Sequence, residues 1–308
     1  MLLRRLGVLA AALTALSAPV TAASASPVRP GAPVLTITGA VSDPASYTMS
    51  QLTALPTETF TLPARDGSGG VKVTGVSLDR LVTIASPVLP AVKNALLRVI
   101  VTASGPFGRP VSFALGEFDP GFGDHDAVIV LSVGGRSLAA GPALAVPGDQ
   151  APVRDLLVVN RIRLGVASPP VTAPPSPGAL VIQDGPRQVI LSAARLASLP
   201  AQTKTVTFQA GTSAQTHTET GPTLAEVLRA ARIGAGLSTW VAAVGSDGYV
   251  ATVTPAEAWP GGRPLLISLT EDGIALPAPR LVTDGDIKGG RYVSGVYDLV
   301  VGQGAPAS

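Results

Sequence analysis

Cysteine is missing from all 308 residues, histidine occurs twice, and aromatic residues make up only 4% of the chain. The first absence excludes disulfides and any thiolate-held metal centre, so the fold must stand on packing alone. Two histidines, His125 and His217, undersupply a Ser-His-Asp hydrolase, and no G-x-S-x-G elbow occurs. Neither a phosphate loop nor a dinucleotide fingerprint is present. Excess charge of one sign is lacking too. The 22 basic residues outnumber the 20 acidic ones by two, and two of the basic ones, Arg4 and Arg5, sit in a leader. A chain without a basic stripe is not built to track nucleic acid.

That leader spans residues 1–25. Arg4 and Arg5 precede the apolar run "LGVLAAALTALSA", which is too short for a bilayer span, and "ASA" at 23–25 offers small residues for cleavage. The expectation is a signal peptide and a product that is secreted or periplasmic. No membrane insertion is expected after cleavage. With no cysteine, the new N-terminus has nothing to carry a lipid.

The remaining chain is written twice. "ASPPVTAPPSPG" at 167–178 is a Pro-rich linker, an extended and semi-rigid spacer. It separates residues 32–166 from residues 179–303. "LTALP" (52–56) matches "LASLP" (196–200), each closing a short helix at proline. "GVSLDRLVTIA" (75–85) matches "GPTLAEVLRAA" (221–231), an amphipathic helix with Ser77 or Thr223 as its N-cap. "LLRVIVTASG" (96–105) matches "WVAAVGSDG" (240–248), a buried strand running into a turn. The endings "GPALAVPGDQAPVRDLLVVNRIRLG" (141–165) and "APRLVTDGDIKGGRYVSGVYDLVVG" (278–302) keep an aspartate and an arginine at matching places, Asp149 with Arg154 and Asp286 with Arg291. Short Thr/Val-rich strands and two or three short helices per copy predict an α+β fold with mixed, largely antiparallel sheets. Two copies are too few for a solenoid, so two globular domains joined by a rod are expected.

Four stretches carry a family resemblance: "LTITGAVSDPASYTMSQLTALP", "TGVSLDRLV", "SDGYVATVTPAEAW" and "PRLVTDGDIKGGRYVSGVYDLVV". Their order resembles the molybdopterin-binding domain of the sulfite oxidase superfamily, present here as two tandem copies. The first copy is degenerate and the second is the closer match. The resemblance implies a sulfite-oxidase-like mixed β domain with short helices in each copy. Catalytic members hold molybdenum through a cysteine at the end of the central strand, near Val244, Gly245 and Ser246 of this chain. Valine and glycine cannot replace a thiolate, so neither a catalytic residue nor a metal ligand is assigned.

Family members without that cysteine imply a pterin-binding or sensory module. A pterin wants an aromatic face, a carboxylate for its paired N–H groups and a cation near its carbonyl. The residues offered for this small planar ligand are Asp247, Tyr249, Trp259, Arg280, Asp286 and Arg291. No cofactor is required by the residues themselves; the resemblance points to a pterin or molybdopterin, and a membrane-bound protein is the partner class considered. Plainer readings stand beside these roles. Asp247-Gly248 is a turn signal, Trp259 suits a core or lid, and Arg280 suits solvent. Asp286 with Arg291, like Asp149 with Arg154, suits a structural ion pair. In the first copy Phe107 stands near the place of Tyr249 and Ala143 replaces Arg280, which reads as a scaffold.

Other motifs are set aside. "DGDIKGG" fails as a calcium loop because Gly295 stands where a bidentate glutamate is needed. "GDHDA" (123–127) reads as a solvated turn. His217, in "AQTHTETG", reads as part of the polar face of an edge strand. Three functions remain open: an exported, non-catalytic binding protein, sensory or accessory; a molybdopterin-dependent oxidoreductase; and a structural or interaction module with vestigial pockets.

Overall fold

The computed structural model describes residues 31–63, 70–170 and 176–307. The leader at 1–25 and the centre of the Pro-rich linker lie outside the described residues. The protein is mostly β-sheet with a few short helices, a mixed α+β architecture.

Each half carries two sheets. In the first half the strands are β1 (Leu35–Gly39), β2 (Ala45–Tyr47), β3 (Glu58–Pro63), β4 (Gly70–Ser77), β5 (Val99–Ser104), β6 (Val111–Ala114), β7 (Val128–Val133), β8 (Arg136–Ser137), β9 (Ala143–Ala145) and β10 (Arg161–Val166). In the second they are β11 (Leu180–Asp184), β12 (Arg187–Leu191), β13 (Ala201–Ala210), β14 (Ser213–Pro222), β15 (Thr239–Gly245), β16 (Val250–Val253), β17 (Leu265–Glu271), β18 (Ile274–Thr283) and β19 (Val296–Gln303). One sheet runs β2-β1-β10-β5-β6, and its counterpart β12-β11-β19-β15-β16. The other runs β3-β4-β7-β8, with β9 also on β7, against β13-β14-β17-β18. The parallel pairs are β1 with β10 and β11 with β19, at the same place in each half.

The short helices follow from local chemistry. They are α1 (Met49–Thr53), α2 (Leu78–Ala85), α3 (Leu115–Phe118), α4 (Ala193–Ala197), α5 (Leu224–Ala230) and α6 (Pro255–Ala258). In α2, Leu78, Leu81, Val82 and Ala85 repeat at helical spacing and are buried. The Ser77 hydroxyl accepts the Arg80 N–H at 3.2 Å, capping the start. Thr223 does the same for the Glu226 N–H at 3.1 Å and opens α5.

The halves are not separate bodies on a rod. Ile100, Ala114 and Ala167 of the first half pack with Trp240, Ala242, Val244, Val250 and Tyr297 of the second in one buried cluster. Leu97, from the first half, is fully buried in the core of the second. The Thr252 hydroxyl donates to the Leu97 carbonyl across the seam at 2.8 Å. Composition predicted a stiff spacer, but the apolar outer faces of β5, β6 and β15 are buried against one another. A fully buried leucine contributes roughly 1.5–3 kcal/mol, and several such side chains outweigh the freedom of a linker.

Candidate functional site

The repeated ending builds a buried charge cluster in each half, and the two clusters meet at the seam. In the second half the Arg291 guanidinium forks onto Asp286, Nε to Oδ2 at 2.8 Å and Nη2 to Oδ1 at 2.5 Å. Its remaining arm donates to Glu257 Oε2 at 2.6 Å. Arg154 repeats the fork onto Asp149 at 2.8 and 2.6 Å, and donates to Glu117 Oε1 at 2.5 Å. Both arginines are fully buried. Burial opposes their charge, yet the surrounding carboxylates more than offset it and hold both above the ordinary guanidinium value.

Glu117 and Glu257 are the members that sequence reasoning missed. Glu117 lies on α3 and Glu257 on α6, each the third helical residue after a β-strand. A signal was present, since a buried arginine facing one aspartate leaves a donor arm that calls for a second acceptor. A fourth group completes each cluster. His125 Nε2 lies 2.9 Å from Asp149 Oδ1, and Arg263 Nη2 lies 2.7 Å from Asp286 Oδ1. The two occupy equivalent places. The His125 N–H donates to the Glu117 carbonyl at 3.0 Å and the Arg263 N–H to the Glu257 carbonyl at 2.9 Å. "GDHDA" is therefore no solvated turn, because its imidazole is drawn inward by a buried carboxylate.

These loops also tie the halves together reciprocally. The N–H of Gln150, next to Asp149, donates to the Pro260 carbonyl at 3.1 Å. The N–H of Ile287, next to Asp286, donates to the Phe122 carbonyl at 2.8 Å. A matched pair of this kind is the signature of a self-complementary contact. Gly116 lets the Arg291 stem pass, since a Cβ there would lie 2.8 Å from Arg291 Cδ.

The six sequence-derived ligand residues are distributed as follows. Asp286 and Arg291 are brought together, with each other. Asp247 is exposed and closes its own turn, its Oδ1 accepting the Tyr249 N–H at 2.9 Å. The Tyr249 hydroxyl donates to the Gly290 carbonyl at 2.6 Å and accepts from Asn94 Nδ2 at 2.9 Å, so it bridges the halves. Trp259 is 69% exposed. Arg280 lies on β18, in the other sheet from Asp247 and Tyr249. It is not solvated, because its guanidinium donates to Glu219 Oε1 at 2.8 Å and to Glu271. A cavity of about 490 Å³ is lined in part by Glu58, Asp79, Arg80, Phe118, Asp124 and Asp126, and one of about 370 Å³ lies beside Gly39 and Val88. None of the six residues lines either cavity.

A molybdenum cofactor held in the manner of the resembled family does not fit the strand end at Val244 and Gly245. Val244 is buried in the shared cluster. A Cβ on Gly245 would lie 2.8 Å from the Ser294 carbonyl oxygen and 2.9 Å from Asp247 Oδ1. The end of β5 is tighter still, with a Cβ on Gly105 only 1.8 Å from the Val158 carbonyl oxygen. At Gly245 and Gly105 neighbouring atoms already occupy the space that a ligating side chain would enter.

No known protein-family pattern matches the chain. No curated protein matches it either. Among solved structures, the chain is similar to the sulfane dehydrogenase SoxCD from Paracoccus pantotrophus, at 17% sequence identity and a TM-score of 0.33, over 70% of this chain and 68% of that one. A likeness of that degree says nothing of shared chemistry. Among the described residues no helix is long and apolar enough to cross a membrane.

Proposed function

We propose that this chain is an exported, non-catalytic interaction protein made of two tandem sulfite-oxidase-like domains. One observation carries the reading. In each half the cations best placed to anchor an anionic cofactor are already paired with buried carboxylates, Arg154 with Asp149 and Glu117, Arg291 with Asp286 and Glu257. A guanidinium held on two carboxylates offers no free fork to a phosphate. The test is elemental analysis of protein isolated from its native host, with fluorescence titration by oxidised and reduced pterins. No molybdenum, and no saturation at about tens of micromolar pterin, is the expected result, an affinity of only some −6 kcal/mol being excluded there. Stoichiometric molybdenum would overturn the proposal in favour of the oxidoreductase.

A second reading, a small planar ligand such as a pterin, is favoured by one corner of the seam. Arg98 Nε is buried without a hydrogen-bond partner, and Arg98 Nη2 reaches the Gly248 carbonyl only at 3.5 Å. The Tyr249 side chain is within electrostatic reach of it. Pterin binding that is lost in Arg98→Met would select this reading over the first.

A further inference from the structure

His217 was set aside in the sequence as part of the polar face of an edge strand, and β14 pairs with β17 only at Glu219 and Thr220, so His217 lies just past the end of that ladder. Its imidazole meets the turn joining β17 to β18. His217 Nδ1 is 2.9 Å from Asp272 Oδ2 and 3.3 Å from Glu271 Oε1, and the three atoms lie within 4.8 Å of one another. We infer that His217, Glu271 and Asp272 form a binding site for a first-row divalent cation such as zinc.

The spacing is the first argument. A tetrahedral zinc with bonds of about 2.0 Å sets its donors about 3.3 Å apart. The two measured separations already lie near that edge, so the cation can replace the shared proton without moving a strand. One imidazole and two carboxylates are a donor set for zinc and its neighbours rather than for calcium, which takes oxygen alone.

Outer contacts are the second argument. Both carboxylates are aimed by an interaction at their second oxygen, as carboxylate ligands of built metal sites are. Asp272 turns Oδ2 toward the imidazole while its Oδ1 accepts the Thr218 N–H at 2.7 Å. The Asp272 N–H in turn donates to the Thr218 carbonyl at 2.8 Å, locking the turn to β14. Glu271 turns Oε1 toward His217 while its Oε2 is held by Arg280. Phe208 stands against the imidazole, with ring centroids 6.1 Å apart. The pairing of Arg280 thus has a consequence: it orients a ligand instead of binding one.

Access is the third. The three side chains are 25%, 23% and 50% exposed in the order His217, Glu271, Asp272, which leaves water free to complete the coordination. The matching turn of the first half, between β7 and β8, is Gly134-Gly135 and supplies no donor. The site belongs to the second half.

Isothermal titration of the full chain with zinc chloride tests this, alongside magnesium and calcium. One zinc ion per chain should bind saturably, and His217→Gln and Asp272→Asn should each weaken it at least about tenfold. Long-range proton–nitrogen spectra of the unaltered protein provide a second readout that needs no variant. Zinc should shift the ring nitrogens of His217 and leave those of His125 in place. Absence of saturable zinc binding would overturn the inference and leave a hydrogen-bonded strap between β14 and the turn. Binding that persists in His217→Gln with its ring signals unmoved in the unaltered protein would overturn it equally.

Discussion

The two buried clusters are built on one plan and differ in one place. Where the second half sets Arg263 against Asp286, the first sets His125 against Asp149. Arg291 and Arg263 together balance Asp286 and Glu257. Arg154 faces Asp149 and Glu117, with the His125 imidazole standing where the second half has Arg263. A second difference compounds the first. Glu257 turns its spare oxygen to the Thr254 N–H at 2.8 Å and caps its own helix, whereas Glu117 Oε2 is buried without a partner. The consequence falls on Glu117. Burial drives its pKa up to about 7, Arg154 pulls the other way, and Glu257 across the seam adds to the rise. The lesson is that a repeated motif keeps its geometry more easily than its charge balance.

The largest effect should come from removing the central cation. Arg154→Met and Arg291→Met each strand buried carboxylates and should cost roughly 3–5 kcal/mol in urea unfolding. Arg154→Met should be the worse of the two, because Arg263 remains beside Asp286. The reverse order would break the comparison.

Leu97→Ala comes next. It opens a cavity in the second half with a residue of the first, and should cost about 2–5 kcal/mol. Both halves should still unfold in one transition. Two transitions, with that of the second half unmoved, would mean that the seam does not couple them.

The smallest effect is the most diagnostic. The folded pKa of Glu117 lies above its ordinary 4.5. Between pH 4.5 and about 7 the native state therefore keeps a proton that the unfolded chain has lost. Its contribution to stability declines as pH rises through that window and stays low above it. Glu117→Gln should flatten this part of the stability profile and be best tolerated at high pH, by about 1–3 kcal/mol relative to pH 5. Glu257→Gln leaves Glu117 in place, so the slope that Glu117 gives the profile should remain in that variant. Equal profiles for the two variants would sink the charge-balance argument.

Much of the fold was legible before any coordinates. The duplicated order of strands and helices, the caps at Ser77 and Thr223 and the recurrence of Asp149-Arg154 as Asp286-Arg291 could all be read from spacing. These are local features, set within a turn or a strand by backbone geometry and hydrogen bonding. Asp286 and Arg291 were paired correctly in their plainer reading because they are five residues apart. The partners of Arg280 were not legible. Glu219 is 61 residues away and reaches it only because β14, β17 and β18 stand side by side.

The chain's residue order alone dictated two matched units, their short helices and the lack of any thiol to grip a metal. Those outcomes depend on residue identity and near neighbours, and no tertiary contact is needed to impose them. Only the folded structure decided that the units share a core, that Glu117 and Glu257 complete the charge clusters, and that His217 meets the Glu271-Asp272 turn. Each of these joins groups far apart in the chain. Apolar burial at the seam and the pairing of buried charges select such contacts, and both act only once the sheets have formed.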